Sequence, residues 1–292
     1  MTDGFDCALQ LLPARFRKAA AARPEYRETA EEFRLRVGRP PSVHFEGTER
    51  EFLPEPETVT EADLRWVLDA ATESSFHAVT DQLRHGYITA RGGVRVGVCG
   101  VADTDGGVRA FRELSSLAVR IPRQIPGAGR EIMGALLGGE TGSLLILSPP
   151  GGGKTTFLRE LVRTAGDAGM RVGLADERGE IAAVWGGAPQ FDVGRCTDVL
   201  SGAPKAEAAM LLLRAMNPQA VALDEISDPA DAEAALRLAG CGVRIFATAH
   251  AASAEALRER PLYRALLDEK IFSTAVVIEC RDGRRHYRAA AL

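Results

Sequence analysis

At 292 residues, with 46% hydrophobic and 26% charged residues, the chain has the composition of an ordinary globular protein long enough to bury two cores. A net charge of -4 excludes a global field for nucleic acid, and five widely spaced cysteines (Cys7, Cys99, Cys196, Cys241, Cys280) exclude both a disulfide framework and a C-x-x-C zinc site. No uncharged apolar run is long enough to span a bilayer and residues 1–20 lack the apolar core of a signal peptide, so a reducing cytoplasm is expected.

In chain order, residues 33–37 alternate like a half-buried strand, and a second strand over 42–45 follows the Pro40-Pro41 turn. Thr60 with Asp63 three residues on reads as a capping pair opening a helix through Leu64, Val67 and Leu68. Another helix is expected over 76–84. Residues 86–89, the Arg91-Gly92-Gly93 turn, 94–98 and 108–111 read as a small antiparallel sheet. Pro122, Pro126, Gly127 and Gly129 mark a linker, which divides the chain into a small α+β domain, residues 1–130, and a second domain, residues 131–292.

Beyond the linker, short buried strands alternate with helices, the pattern of a parallel sheet covered on both faces. Strands are expected at 143–147, 171–175, 220–223, 243–247 and 274–279, and helices at 155–168, 205–216, 229–239 and 253–267. Residues 276–287, centred on Asp282-Gly283, read as a hairpin. The fold class is therefore α/β, a parallel sheet covered on both faces, preceded by the smaller α+β domain.

The stretch Ser148-Pro149-Pro150-Gly151-Gly152-Gly153-Lys154-Thr155-Thr156 joins the first of these strands to the first of these helices. Three glycines let successive N–H groups turn inward on anionic oxygens, and the helix N-terminus adds its positive dipole end. Pro150, Gly151, Gly152, Gly153, Lys154, Thr155 and Thr156 are the expected nucleotide contacts, with Lys154 on the β and γ phosphates and the Thr155 hydroxyl on Mg²⁺. Only four of the 36 basic residues are lysine, and one of them stands here. Ser148 occupies the place where the loop pattern has glycine.

In an open parallel sheet, ligands lie beyond the carboxyl ends of the strands. Asp224, after the apolar run 221–223, suits a second Mg²⁺ carboxylate; Glu225, on the other strand face, suits orienting the attacking water. Asp176, Glu177 and Glu180 follow another strand, with Arg178 as a pairing partner; they suit either a carboxylate near the γ phosphate or a capping cluster. Glu177 is the one assigned to catalysis. Thr248 and His250 end the strand expected beside that of Asp224, where they sense a γ phosphate. Arg112, Arg120, Arg123, Arg195 and Lys205 are open candidates for a cation supplied to a neighbouring subunit.

The segments 213–218, 221–226 and 242–250 resemble the ATPases of type II and type IV secretion systems. With 86–89, 95–97, 114–117, 120–121, 192–194 and 198–200, the chain is similar, within that group, to the stage III sporulation protein AA family, over about residues 76–250. With the loop, the resemblance implies an α/β fold in which a RecA-like P-loop NTPase domain with a parallel sheet follows the smaller α+β domain, and a mother-cell cytoplasmic ATPase using ATP and Mg²⁺. It implies a homo-hexameric ring, peripheral at the membrane through integral membrane subunits of a sporulation channel complex. Carried over by position, Gly151 to Thr156 bind nucleotide, Asp224 and Glu225 serve Mg²⁺ and hydrolysis, and His250 matches the family's histidine element; Glu177, from its place at a strand end, joins Glu225, Lys154 and His250 in the expected catalytic set. The alternatives are a nucleic-acid-associated P-loop ATPase and a non-hydrolysing nucleotide-dependent scaffold. With 6% aromatics and no Arg/aromatic cluster, nucleic acid is not an expected partner.

Overall fold

Residues 3–292, apart from 46, 54–55, 74–85, 105–107, 139–141 and 283, are described by a computed structural model. The chain divides into two compact units, Met1–Arg123 with Ala183–Gln190, and Gln124–Ala182 with Phe191–Leu292.

The first unit begins with three short helices, α1 (Gly4–Leu11), α2 (Ala14–Ala21) and α3 (Glu25–Thr29). The Asp3 carboxylate accepts from the Phe5 N–H at 3.0 Å and so caps α1. An antiparallel sheet follows, built from β1 (Ala30–Arg36), β2 (Ser42–Phe45), β3 (Thr48–Glu51), β4 (Tyr87–Thr89), β5 (Arg95–Thr104) and β6 (Val108–Arg120), in the order β3-β2-β1-β6-β5-β4. Along β1, Phe33 and Leu35 are fully buried while Arg34 and Arg36 face outward, the alternation expected from the sequence. Phe33 meets Phe5 and Phe52 at ring-centroid distances of 6.1 and 5.8 Å, and Phe16 meets Phe52 at 6.5 Å, so aromatic rings from helices and strand fuse one core. Helix α4 (Glu61–Thr72) opens with the Thr60/Asp63 capping box, as expected. The helix expected over 76–84 lies outside the described residues.

Strand β6 is far longer than the 108–111 run the sequence suggests. Its pairing partner β5 carries irregularities at three places, which let two long strands twist together despite polar stretches such as Ser115-Ser116. At one of them, a Cβ on Gly100 would lie 1.9 Å from the Glu113 carbonyl oxygen, so only glycine fits.

On the outer strands of this sheet Glu49 accepts from Arg36 and from the Ser42 hydroxyl (2.5 Å), and these bonds hold its carboxyl down at about 2 against an ordinary 4.5. A depressed carboxylate stabilises the fold above its unfolded-state pKa, and that contribution disappears as pH falls from about 4.5 through 2. The two tryptophans, Trp66 and Trp185, both belong to this unit, so their fluorescence reports its unfolding. The urea midpoint of wild type is expected to exceed that of Glu49→Gln at pH 6, with the gap closing toward pH 2; a constant gap contradicts the assignment.

The second unit holds α5 (Arg130–Leu137) and a seven-stranded sheet of β7 (Ser143–Ser148), β8 (Val172–Asp176), β9 (Thr197–Ser201), β10 (Ala220–Glu225), β11 (Arg244–His250), β12 (Phe272–Arg281) and β13 (Arg284–Ala291), in the order β13-β12-β7-β11-β10-β8-β9. All neighbours are parallel except the antiparallel β12–β13 hairpin. Every residue of β7 is buried, as expected of a central strand covered on both faces. Helix α6 (Lys154–Asp167) buries Phe157, Leu158, Leu161, Val162 and Ala165, one stripe at helical spacing. Helices α7 (Lys205–Met216) and α8 (Pro229–Gly240) follow the expected pattern.

Two elements depart from it. The single helix expected over 253–267 is instead α9 (Ala254–Arg258) and α10 (Pro261–Asp268). Pro261 forces Arg260 to φ -93°, ψ 121°, which ends the first helix and starts the next. Strand β9 has no apolar run, because it is an edge strand whose residues are half-buried or exposed.

Candidate active site

At the carboxyl end of β7 the chain turns through residues 149–153 into α6. Gly151 (φ +74°) and Gly153 (φ +101°) adopt left-handed backbone that favours glycine. Gly153 is the N-cap of α6 and makes no side-chain cap hydrogen bond, whereas α4 and α8 each carry a capping box. The first-turn N–H groups of α6 are thus left for an anion.

Ser148, where the loop pattern has glycine, is fully buried, and its hydroxyl lies where a Cβ on Gly152 would go, 2.2 Å away. Serine under the loop and glycine in it are one steric solution. Gly152→Ala is therefore expected to displace the loop and lower nucleotide affinity at least tenfold. Adding Ser148→Gly removes the two nearest clashes and should restore affinity in part, leaving only the 3.1 Å approach to the Pro149 carbonyl oxygen. Additive effects in this double-mutant cycle, measured by nucleotide titration, would contradict the steric link.

Lys154 is 7% exposed. Its ammonium donates to the carbonyl oxygens of Ser148 (3.2 Å) and Pro149 (3.3 Å) and to His250 Nδ1 (2.7 Å). Burial pulls its pKa down, and the negative charges of Glu225 and Asp224 oppose that shift. An ammonium only donates, so Nδ1 accepts; Nε2 then carries the hydrogen toward Glu225 Oε2, 2.9 Å away. The loop cation, the β11 imidazole and the β10 carboxylate form one hydrogen-bonded chain.

β10 and β11 separate the two adjacent acids. An irregularity in their register falls between Leu223 and Glu225. Asp224 accepts from the Thr248 hydroxyl at 3.2 Å, and Glu225 meets His250. Burial pushes the Asp224 carboxyl up to about 6, the charges of Glu180 and Asp176 push the same way, and the bonds from Thr248 and the Glu225 backbone oppose them. A carboxylate so poorly solvated and surrounded by like charge favours a cation. Thr155 and Asp224, both hard oxygen donors, line the same cavity. Among the described residues no group of three or more His, Cys, Asp or Glu could hold a metal. A divalent ion here would have to take its remaining ligands from phosphate and water, the habit of Mg²⁺.

The cavity, of about 450 Å³, brings together Gly151, Gly153, Lys154, Thr155 and Thr156 from the loop and helix with Glu177, Asp224, Glu225 and His250 from the other strand ends. Two expected contacts, Pro150 and Gly152, are not on its wall. Glu177 faces Lys205 at 3.3 Å, and Lys205 also meets Asp231 (3.4 Å) and Ser227 Oγ (3.3 Å). Lys205, 9% exposed, is thus committed within its own chain. Asp176 is almost fully buried and accepts the N–H groups of Glu180 (2.9 Å), Ile181 (3.1 Å) and Ala182 (2.8 Å). Arg159 grips the same loop through the Ile181 and Glu180 carbonyls, both at 2.6 Å, so the capping alternative holds for Asp176.

Of the arginines open as donors to a neighbour, Arg112 pairs with Asp103 (3.6 Å), Arg120 with Glu32 (3.3 Å), and Arg123 donates to the Ala30 carbonyl (2.9 Å). For Arg195 the backbone N–H donates to Asp167 (3.1 Å). Sequence reasoning missed Arg285, which lines the cavity from β13; nothing local marks it, because only strand pairing brings it there.

The family model described as "Sporulation stage III, protein AA" matches residues 6–288. The chain belongs to this family. Within reach of the family, it is 35% identical over 281 residues to "Stage III sporulation protein AA" of Bacillus subtilis (strain 168), covering 94% of this chain and 91% of that one. Among solved structures, the pilus retraction motor PilT, crystallised with bound ADP, is similar with TM-score 0.66 and 16% identity, covering 94% of this chain and 82% of that one. The Yersinia pseudotuberculosis ATPase DotB is similar with TM-score 0.63 and 16% identity over 95% and 79%. This member of the stage III protein AA family therefore has the RecA-like P-loop fold of those ATPases, as the sequence led us to expect. Among the described residues no helix is long and apolar enough to cross a membrane.

Proposed function

We propose that the chain is an ATPase that works as a ring-forming motor or assembly ATPase of a secretion-like channel complex in sporulation. The observation that carries the reading is the single cavity in which an uncapped helix N-terminus, Lys154, Thr155, Asp224, Glu225 and His250 converge. Each has a task in phosphoryl transfer, which needs little covalent chemistry and much positioning and charge neutralisation. The loop amides and Lys154 hold the β and γ phosphates. Thr155 and Asp224 would hold Mg²⁺, which supplies charge neutralisation on the phosphate oxygens when bound.

Glu225 orients the attacking water and accepts its proton, and His250, bonded at once to Lys154 and Glu225, reports whether a γ phosphate has drawn Lys154 away. Glu177 completes the acidic wall through Lys205. The name of the Bacillus subtilis relative supports a place in sporulation, the PilT title supports a motor, and the DotB title supports an ATPase. On this reading the protein is a homo-hexamer in the mother-cell cytoplasm, held at the membrane by integral subunits of the channel. Hydrolysis changes contacts between neighbouring copies because the γ phosphate is lost at their boundary. Phosphate release from Mg·ATP by the purified chain, measured across protein concentration, tests this: turnover that rises with assembly is expected, and absence of turnover in every assembly state overturns it.

A further inference from the structure

Arg285 reaches the loop from the side of the sheet opposite to Asp224, Glu225, Thr248 and His250. In the order β13-β12-β7-β11-β10, β7 carries the loop, β10 and β11 bring those acids and the histidine from one side, and β13 brings Arg285 from the other. Its Nε donates to the Gly152 carbonyl oxygen at 3.2 Å, and a Cβ on Gly153 would sit 2.7 Å from that Nε, so the guanidinium lies directly on the loop. Two residues on, Tyr287 stacks on Phe157 of the first turn of α6, with ring centroids 5.2 Å apart and planes 26° from parallel. Residues two apart share a strand face. The stack therefore fixes β13 against the helix and sets Arg285 over the loop. Among the described residues the fork of Arg285 makes one hydrogen bond, through Nε, so its Nη donors are not otherwise engaged on a side chain that lines the cavity.

A nucleotide seated with its γ phosphate toward Lys154 and Glu225 would run its other end away from β10 and β11, the flank of β7 on which β12 and β13 lie. We propose that Arg285 binds the α,β-diphosphate shared by ATP and ADP, as a charge supplied within the chain by the carboxyl-terminal hairpin. This deepens the function proposed above and rests on it. Such a contact holds substrate and product alike, in contrast to groups that see only the γ phosphate.

The test is equilibrium titration of wild type, Arg285→Ala, Arg285→Gln and Arg285→Lys with Mg·ATP and Mg·ADP at two salt concentrations. Arg285→Ala and Arg285→Gln should weaken both nucleotides by the same factor, about tenfold, as expected for loss of a charge-assisted bond. Arg285→Lys should retain more affinity, and the salt dependence should shrink with the charge. The ratio of ATP to ADP affinity should stay that of wild type. Glutamine matching wild type would mean the bond to Gly152 suffices, and a loss confined to ATP would place the contact at the γ phosphate; either result overturns this assignment alone. A wild-type chain that binds neither nucleotide overturns the proposed function and this assignment with it.

Discussion

Lys154→Ala is expected to remove detectable binding of ATP and ADP, with an affinity loss of at least about a hundredfold. The side chain is buried, so its ammonium does not act as a solvated surface charge; desolvation already disfavours its charged form, and two carbonyls with one imidazole hold it in place. A polyphosphate offers that ammonium a better partner than neutral oxygens do, and each charge-assisted bond is worth about 1.5–3 kcal/mol. Alanine deletes the cation and leaves His250 Nδ1 without its donor, so two groups of the site change at once. Fluorescent-nucleotide titration checks this, with a thermal melt to show that the variant folds. Wild-type affinity in a folded variant would mean that the loop does not hold phosphates.

The second large effect is on chemistry alone. Glu225→Gln keeps the shape of the side chain and an oxygen that can accept from His250 Nε2–H, but it removes the charge and the proton acceptor. Turnover is expected to fall by about 10²–10⁴, the range attributed to a positioned general base. ATP affinity should stay within about threefold, because the loop amides, Lys154 and Thr155 are untouched. Phosphate release and nucleotide binding measured on the same preparation separate the two. Turnover at the wild-type rate would remove Glu225 from the role given to it. Loss of binding with turnover per bound ATP unchanged would make it a binding residue instead.

The parts of this molecule that were legible in the sequence are those where a local rule sets the outcome. The Thr60/Asp63 pair made its capping box because both bonds form within one turn. The buried run before Ser148 became the central β7, and the Gly-Gly-Gly-Lys-Thr-Thr block became a strand-to-helix turn, because left-handed glycines and a helix start leave one shape. The acids after Leu223 and the Thr248/His250 pair gathered as expected, since in a parallel sheet the carboxyl ends lie together.

What was not legible depends on distant contacts. The fate of Asp176 turned on Arg159, 17 positions earlier in the chain, which grips the same loop as Asp176 through the Ile181 and Glu180 carbonyls. Lys205 read as an outward cation but is held by Glu177 and Asp231. Arg285 lies 132 positions from Gly153, and only the order of strands brings them together. The edge strand β9 escaped notice because an edge needs no apolar run, and Pro261 split a helix whose apolar spacing alone looked continuous.

Backbone amides and one buried lysine at the end of β7 form the proposed polyphosphate site. Titration of the purified wild-type chain with Mg·ADP tests this most directly, because ADP needs no turnover and no fixed assembly state. Saturable binding, one nucleotide per chain, competed by ATP and absent in Lys154→Ala is the expected result. No binding at concentrations up to about 1 mM, the upper end of ordinary substrate affinities, would contradict it.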